Sequence, residues 1–567
     1  MAHSPFVGIR LEESRSISLT PRRGTEIIEI LEFSGSKRPD FSHFFGISPL
    51  LVDMNKSLLA TAFFASCSAS LLLTPLIRNI ARRIGFVDHP DAHRKIHREP
   101  IAMGGGLAIV LSILLSGLIL ALLPNPTARA YFERANQLTG IVTGMLVICA
   151  VGVWDDARRI RARNKLAGQL IAACIVAYSG LTFEQVSFAG FTVDLGWLSV
   201  PVTVFWLVAC INALNLIDGA DGLASVIGMV LSGTIACTAI TLHNEFTAVF
   251  ALMLTGALIG FLRYNAPPAS IFLGDAGSMS VGLLAGSLTV QGNNKGAAAY
   301  ALFAPIAMWI IPMMDVGMAI VRRKLTGRSL SATDRNHLHH CLLAQGLTQR
   351  QLLVFVGGLC AFCGLGAWMT IRFANSWFAV LSSLAVVGFL VSRRIFGHVE
   401  LQLAGHHLAG LGRRFMQRDA EAEQIPWQSQ VRLQGMHPWE ELWGFLVESA
   451  GELRFCRLTL NLSLPWLHEG YHANWIRPTP SNTDNMVRLS WPLMSGERHI
   501  GTLSIASDVD VNQIQWLESL GEFLAQVQNR IPELEPMSSQ KPDLASAEGS
   551  QLGATIVTAS EGSLPVY

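Results

Sequence analysis

Five short stretches of the sequence combine carboxylates or histidines with basic residues or glycines. In chain order they are Asp88–Gly106, Asp155–Lys165, Asn212–Gly222, Phe272–Ser278 and Arg322–His340. Carboxylate oxygens are hard ligands that suit Mg²⁺, an ion that proteins often bind through one or two carboxylates plus phosphate. Basic side chains neutralise phosphate charge, and glycines let the backbone approach a ligand closely. Together these groups predict a site for a diphosphate, where positioning and charge stabilisation carry the catalysis.

The carboxylates that we expect to serve this site are Asp155, Asp156, Asp218, Asp221 and Asp275. One such residue alone is more often a solvated helix cap, but ionisable groups near membrane depth are costly and tend to mark functional sites. The histidines lack a companion set of cysteines of the kind that holds zinc. The sequence also lacks a Gly-Lys-Ser/Thr loop of the Walker type. The pattern therefore favours phosphate chemistry with a hard cation.

The composition indicates what surrounds these stretches. Of the 567 residues, 50% are hydrophobic and 15% are charged, and the mean hydropathy is +0.39. Soluble proteins carry about 25% charged residues, so the composition argues against a fully soluble or disordered chain. The formal net charge of +1 shows no global basic excess, and no nucleic-acid partner is expected.

Apolar runs long enough to cross a membrane recur along the chain. A spanning helix needs about 20 mostly apolar residues, and the sequence predicts eleven such helices. Their approximate bounds are 57–78, 102–123, 138–154, 166–181, 197–216, 223–242, 247–263, 277–291, 299–321, 351–371 and 376–392. The predicted fold class is therefore an all-α polytopic membrane protein, to which a small C-terminal cytoplasmic α+β domain is added.

The loops between these runs alternate in their positive charge. One set, which includes residues 82–98, 158–165 and 322–335, is rich in Lys and Arg. The other set holds only Arg129, Arg134, Lys295 and Arg372. Because loops rich in Lys and Arg face the cytoplasm, the five chemical stretches are predicted to be cytoplasmic. The protein is expected in the cell (inner) membrane, with its active site and C-terminal region inside.

Two flanking regions extend beyond the predicted multi-span domain, residues 57–395. Residues 1–56 are expected to be an N-terminal extension that is unstructured or precedes the true start, since Met54 lies directly before the first run. Residues 396–533 are predicted to form the cytoplasmic α+β domain, and residues 534–567 a disordered tail.

Alternating apolar and polar residues support the C-terminal α+β prediction. The alternation at 456–462 and 487–493 is typical of half-buried strands, and residues 439–450 and 511–529 read as helices. This region is faintly similar to GAF-like sensor domains, although an assembly or stability module is an equal alternative.

The five stretches taken in order resemble those of the polyprenyl-phosphate N-acetylhexosamine-1-phosphate transferases, the WecA- and TagO-like enzymes related to MraY. The resemblance covers roughly residues 57–395. It rests on the Asp88–Gly106 segment, Asp155-Asp156 with Lys165–Gln169, Asn212–Gly222, Phe272–Ser278 and His337–His340. Members of that family transfer a sugar-1-phosphate from a UDP-sugar to a membrane-carried polyprenyl phosphate and release UMP.

The resemblance implies a role for each matching residue. Asp155 is implied as a base on the lipid phosphate, and Asp156 as a metal-binding or positioning group. Asp275 is the implied metal ligand, with Asn215 beside it. The implied substrate-binding residues are Lys165, Asp218, Asp221, His337, His339, His340, Lys95 and His97. The implied cofactor is Mg²⁺, with Mn²⁺ as an alternative.

The His-Leu-His-His pattern is more similar to the WecA and TagO branch than to the triple-His pattern of the MraY branch. The resemblance therefore implies transfer of N-acetylglucosamine-1-phosphate from UDP-N-acetylglucosamine to undecaprenyl phosphate, the first membrane step of cell-surface glycan synthesis. Another UDP-N-acetylhexosamine and UDP-N-acetylmuramoyl-pentapeptide are alternative donors. Alternatives of another class are a transporter and a membrane scaffold. Homodimerisation is expected only by analogy with MraY relatives.

Overall fold

The structure is a computed structural model. It describes residues 55–88, 100–123, 135–188, 191–293, 303–326, 336–402, 404–405, 408, 427–434, 439–464, 469–477, 487–495, 498–507 and 514–534. The predictions for residues 1–54 and 535–567 lie outside these ranges, and so do those for Lys95 and His97.

Each of the eleven predicted apolar runs coincides with a helix. These helices are α1 (Lys56–Ile84), α2 (Gly105–Leu122), α3 (Ala135–Arg158), α4 (Ala162–Tyr178), α5 (Ser199–Ile217), α6 (Leu223–Thr241), α7 (Glu245–Asn265), α8 (Gly274–Asn293), α9 (Phe303–Leu325), α11 (Gln349–Phe373) and α12 (Trp377–Ser392). Among the described residues, eight of them are long and apolar enough to cross a membrane, and α4, α8 and α12 are not. A mostly helical membrane protein is confirmed, whereas a count of eleven crossings stays a prediction.

Short polar residues begin several of these helices. The side chain of Asn55 accepts the backbone N–H of Leu58 over 3.1 Å and caps α1, and Thr348 forms a reciprocal capping box with Gln351 at the start of α11. Such caps satisfy N–H groups that the first helical turn leaves without partners.

A short helix, α10 (Leu338–Ala344), follows α9. Two two-stranded sheets, β1–β2 (Val87–Asp88, Ile101–Ala102) and β3–β4 (Gln185–Phe188, Phe191–Asp194), were not predicted.

Helix α8 lies at the centre of the bundle, against α2, α3 and α5. Glycines make this close packing possible. A Cβ at Gly106 of α2 would lie 2.6 Å from the Cα of Gly277, and a Cβ at Gly152 of α3 would lie 2.8 Å from the carbonyl carbon of Asp275. Because no side chain fits there, the backbones of α2 and α3 converge on the first turn of α8.

The C-terminal region consists of β5 (Trp427–Gln434), α13 (Trp439–Glu452), β6 (Phe455–Leu464), β7 (Glu469–Ile476), β8 (Val487–Ser495), β9 (Arg498–Ser507) and α14 (Ile514–Leu534). The five strands form one antiparallel sheet with the order β5-β7-β6-β9-β8. Apolar side chains of β6, β7, β8, β9 and both helices share one core, which includes Trp443, Leu460, Tyr471 and Phe523. The strands and helices predicted from the alternating patterns are confirmed, while β5 and β7 were not predicted.

The sheet region contacts the end of the helical bundle next to the histidine motif. Val431 and Leu433 of β5 pack with Val399 and with Leu325 of α9. The side-chain amide of Asn336 donates a hydrogen bond to the carbonyl of Leu433 over 3.0 Å. The edge strand of the sheet is therefore fixed to the residue that directly precedes His337.

Candidate active site

A lysine ammonium lies between two of the predicted carboxylates. The Nζ atom of Lys165, in the first turn of α4, is 2.7 Å from Oδ2 of Asp275 and 2.9 Å from Oδ2 of Asp155. These residues come from three different helices, and each stands at the helix end that faces the others. The ammonium balances the negative charge of both carboxylates. A phosphate could compete with the carboxylates for the lysine, and a cation could compete with the lysine for the carboxylates.

Asp156 performs a different task from its neighbour. Its Oδ1 accepts the backbone N–H of Asp275 over 2.9 Å, and its Oδ2 accepts the N–H of Ala276 over 3.3 Å. It therefore caps α8 from a separate helix and occupies both of its oxygens with backbone groups. Gly274 precedes this turn with φ +71°, and a Cβ there would lie 2.6 Å from Oδ2 of Asp156. Of the two roles implied for Asp156, this geometry supports positioning.

The amide of Asn215 holds the carboxylate of Asp275 from the other side. Its Nδ2 donates to Oδ1 of Asp275 over 2.5 Å and lies 3.0 Å from Oγ of Ser278. Asp275 is thus fixed through its backbone by Asp156 and through its side chain by Lys165 and Asn215. One of its oxygens faces an amide and the other an ammonium.

The loop after α5 carries a further concentration of negative charge. Asp218 directly follows the last residue of α5, and its side chain is half-buried. Burial raises the pKa of Asp218 well above its ordinary value, and the carboxylates of Asp275 and Asp156 add to the shift. Asp221 lies further along the loop, where its Oδ2 accepts the backbone N–H of Ala269 over 3.0 Å. A bound cation would relieve the repulsion around Asp218.

The histidine motif packs onto this loop. The ring of His339 is 2% exposed and lies against Gly219, where no Cβ could fit. Its two ring nitrogens are buried and have no hydrogen-bond partner among the described residues. The ring of His337 stacks with that of His339 at a centroid distance of 6.0 Å, and His340 follows at 4.2 Å from His339. Buried polar atoms without partners are costly, which marks His339 as a group that a ligand would satisfy.

The donor set around Asp275 fits a hard cation that is shared with phosphate. Among the residues that the structure describes, no three His, Cys, Asp or Glu side chains stand close enough to form a complete metal cage. Mg²⁺ does not need one, because it usually keeps several waters and binds one or two carboxylates together with substrate phosphates. Asp275, with Asn215 beside it and Asp218 near it, supplies oxygen ligands of that kind.

Most of the predicted site residues meet at one end of the bundle. Asp155, Asp156, Lys165, Asn215 and Asp275 form one connected cluster. Asp218 interacts electrostatically with the Asp275 and Asp156 members of this cluster. The histidine motif, residues 337–340, contacts the loop that carries Asp218, where His339 packs on Gly219. Asp221 contacts the backbone of the segment that leads to α8, and that contact organises the loop. The roles of these residues in substrate binding and catalysis stay predictions.

Sequence reasoning missed three kinds of participant. Asp315 lies inside the apolar run of α9 and contacts His337 over 2.9 Å. Ser278 belongs to the stretch Phe272–Ser278, but its contact with Asn215 depends on tertiary packing. Gln169 and Asn212 join α4 to α5 behind the site, with Asn212 Nδ2 donating to Gln169 Oε1 over 2.7 Å. The signal for Asp315 was available, because a single carboxylate in a membrane run is costly enough to require a partner.

Comparison with known proteins gives the class to which this site belongs. Residues 138–293 match the family model described as glycosyl transferase family 4. The chain is 32% identical over 342 residues to a probable undecaprenyl-phosphate N-acetylglucosaminyl 1-phosphate transferase of Bacillus subtilis (strain 168), which covers 60% of this chain and 92% of the relative.

Two further relatives match over a similar length of the chain. A decaprenyl-phosphate N-acetylglucosaminephosphotransferase of Mycolicibacterium smegmatis is 33% identical over 341 residues, or 56% of this chain and 83% of the relative. A phospho-N-acetylmuramoyl-pentapeptide-transferase of Shouchella clausii is 31% identical over 328 residues, or 54% of this chain and 96% of the relative.

The family match and the relatives show that the chain is a membrane sugar-phosphate transferase, and the resemblance found in the sequence is confirmed. The chain belongs to glycosyl transferase family 4, together with the polyprenyl-phosphate hexosamine-1-phosphate transferases.

Proposed function

We propose that this protein transfers N-acetylglucosamine-1-phosphate from UDP-N-acetylglucosamine to undecaprenyl phosphate. An oxygen of the lipid phosphate attacks the phosphorus that carries the sugar. A new P–O bond forms, the bond to the uridine-bearing phosphate breaks, and UMP leaves with the electron pair. The observation that carries the proposal is the convergence on Asp275, which Asp156, Lys165 and Asn215 hold at the first turn of α8.

The choice of sugar rests on two lines of support. The Bacillus subtilis and Mycolicibacterium smegmatis relatives are both named for transfer of N-acetylglucosamine phosphate. The His-Leu-His-His motif also favours that branch over the muramoyl-pentapeptide branch, to which the Shouchella clausii relative belongs by name. The undecaprenyl carrier is supported by the Bacillus subtilis relative, whereas the Mycolicibacterium smegmatis relative is named for decaprenyl phosphate.

The residues of the cluster divide the work among them. Lys165 would turn from Asp155 and Asp275 to the diphosphate, whose negative charge it can neutralise. Asp155 would then face the lipid phosphate, as a base where that phosphate is protonated and otherwise as an orienting group. Asp156 keeps the first turn of α8 in place throughout, because both of its oxygens are bonded to backbone N–H groups.

Asp275, with Asn215 beside it, would hold Mg²⁺. Asp218 interacts electrostatically with Asp275, and its negative charge would help to hold the ion. When bound, the ion supplies positive charge that offsets the negative charge of the diphosphate. The three histidines would contact the phosphates or the sugar from the side of Gly219. The site is proposed to open to the cytoplasm, since the loops that carry Lys165 and the histidines are rich in Lys and Arg.

Release of UMP by membranes that contain the protein tests this function. The assay supplies labelled UDP-N-acetylglucosamine, undecaprenyl phosphate and Mg²⁺, with Asp275→Ala as the inactive comparison and Ser287→Ala, a buried residue far along α8, as the matched control. We expect UMP and a labelled lipid from wild type and Ser287→Ala, and a loss of about 100-fold or more from Asp275→Ala. Turnover with another UDP-sugar alone would overturn the choice of sugar, and no turnover with any UDP-sugar would overturn the enzyme.

A further inference from the structure

A buried carboxylate in α9 stands outside the set of residues assigned above. Asp315 is 0% exposed and lies in a helix whose other buried side chains near it are apolar, such as Ile311 and Met314. Placing a carboxylate at such depth is expensive. Because of this cost, we expect the hydrogen-bond partners of Asp315 to depend on its negative charge.

The two oxygens of Asp315 bind the beginning of the histidine motif. Oδ2 is 2.9 Å from Nδ1 of His337, and Oδ1 accepts the backbone N–H of Leu338 over 2.8 Å. A carboxylate without its proton can only accept hydrogen bonds, and opposite such a carboxylate Nδ1 of His337 would carry the hydrogen of that bond. Nε2 is then the ring nitrogen that remains for a ligand. A carboxylate that fixes a histidine in this way sets both its tautomer and its orientation.

His337 in turn sets the position of the rest of the motif. Its ring is stacked on that of His339 with an interplanar angle of 7°, and His339 packs on Gly219 in the loop that carries Asp218. The path from Asp315 to the site is therefore continuous, and it runs through His337. Asp315 itself lies behind the histidines and does not reach the cluster around Asp275 by any described contact.

We infer that Asp315 is a positioning residue of the transfer reaction, which holds His337 so that its Nε2 faces the UDP-sugar. The inference rests on the proposed function and adds a residue to it. Replacing the carboxylate behind a metal-ligating histidine typically changes affinity or activity about 10- to 100-fold, and we expect a similar range for the carboxylate behind His337. Asp315→Asn keeps the size of the side chain, but its NH₂ group can face Nδ1 of His337 and favour the other tautomer, as in catalytic triads.

The test measures kcat/KM for UDP-N-acetylglucosamine and KM for undecaprenyl phosphate in purified full-length protein. We expect Asp315→Asn to lower kcat/KM for the sugar donor about 10- to 100-fold and to leave KM for the lipid within about twofold. In a His337→Gln background the same substitution should have no further effect, because the residue through which it acts is gone. Trp309→Phe is the matched control. Trp309 lies in the same helix as Asp315 and donates a buried hydrogen bond to Thr289 of α8. The substitution removes that bond and leaves the histidine motif unchanged.

Asp315→Glu gives a second readout, and it carries the test if Asp315→Asn does not fold. A longer carboxylate retains the charge but is harder to pack, so a positioning role predicts more activity from Glu than from Asn, and a packing role predicts the reverse. Equal losses in the wild-type and His337→Gln backgrounds would overturn the inference, and so would wild-type kinetics from Asp315→Asn. Absence of turnover from the wild-type chain with every UDP-sugar would instead overturn the proposed function itself.

Discussion

Asp156, in the last turn of α3, accepts the backbone N–H of Asp275, in the first turn of α8, although 119 residues separate them. The bond is the cap of α8, supplied by another helix. It orients the first turn of α8 so that the side chain of Asp275 lies between Lys165 and Asn215. The two adjacent carboxylates of α3 therefore have different roles. Asp155 contributes negative charge at the site, and Asp156 supports the helix that carries Asp275.

Removing this cap should lower stability and activity together. Asp156→Ala leaves the N–H groups of Asp275 and Ala276 without acceptors, and loss of an N-cap costs about 1–2 kcal/mol. Activity should fall further than stability alone explains, because the carboxylate of Asp275 moves with its backbone. Asp156→Asn retains one acceptor oxygen and should lie between Asp156→Ala and wild type. Thermal unfolding of the detergent-solubilised protein and UMP release measure the two effects.

A cap elsewhere in the bundle separates stability from activity. Asn244 begins α7, where its Oδ1 accepts the N–H of Thr247 over 3.4 Å, at the opposite end of that helix from Asn265, which precedes the loop that Asp221 contacts. Asn244→Ala should lower the unfolding temperature and leave UMP release by folded protein unchanged. If Asp156→Ala behaved in the same way as Asn244→Ala, the cap would have no bearing on Asp275.

The close approach of α2 to α8 predicts an unusual response to a single methyl group. Alanine normally stabilises a helix by about 0.5–1 kcal/mol relative to glycine. At Gly106, however, the new Cβ would lie 2.6 Å from the Cα of Gly277, so Gly106→Ala should destabilise by about 1–3 kcal/mol. Gly117→Ala in the same helix meets only the Cε of Met253 at 3.6 Å and should be neutral or stabilising. Unfolding temperatures of the two variants make the comparison, and equal shifts would contradict the packing argument.

The helices and the core of the site were predictable because their signals are local. Apolar runs of spanning length mark helices, and Asp275, Asn215 and Lys165 stand at their ends in recognisable stretches. The cap formed by Asp156 was not predictable, since nothing in its own neighbourhood indicates which backbone it meets. Asp315 was missed because it lies within an apolar run, where the hydropathy average conceals it. Strand β5 was missed because most of its eight residues are polar, and only Trp427, Val431 and Leu433 are apolar.

Acidification should weaken the fold through His339. Burial lowers the pKa of His339 well below its ordinary value, and the neighbouring His340 and His337 lower it further. The ring is therefore neutral in the folded protein at pH values where the unfolded chain, with a pKa of about 6.5, takes up a proton. The unfolded state then binds more protons, so stability is retained above about pH 6.5 and decreases as the pH falls below it.

Unfolding at pH 7.5 and pH 5.5 measures this dependence. Wild type should lose more stability between the two values than His339→Gln, whose amide does not titrate. His499→Gln, which changes an exposed side chain of β9, is the matched control and should retain the wild-type difference. Identical losses in wild type and His339→Gln would show that other groups cause the acid sensitivity.

The junction between the bundle and the C-terminal sheet depends on a buried ion pair. Arg322, near the end of α9, pairs with Glu400, and both side chains are only about 3% exposed. Arg322 also donates to the carbonyl of Asn336 over 3.1 Å, and Asn336 holds β5 through Leu433. The ion pair thus supports the segment that leads into the histidine motif.

Glu400→Ala should therefore be strongly destabilising, because it leaves the guanidinium of Arg322 buried without its carboxylate. Breaking one side of such a pair costs about 3–5 kcal/mol, whereas replacing both sides with apolar residues costs less. The double variant Arg322→Met/Glu400→Met should accordingly be more stable than Glu400→Ala. Glu448→Ala, at an exposed position of α13, is the control and should change the unfolding temperature little. A Glu400→Ala protein as stable as Glu448→Ala would mean that the pair does not hold the junction, and UMP release by the same variants would show whether the motif depends on it.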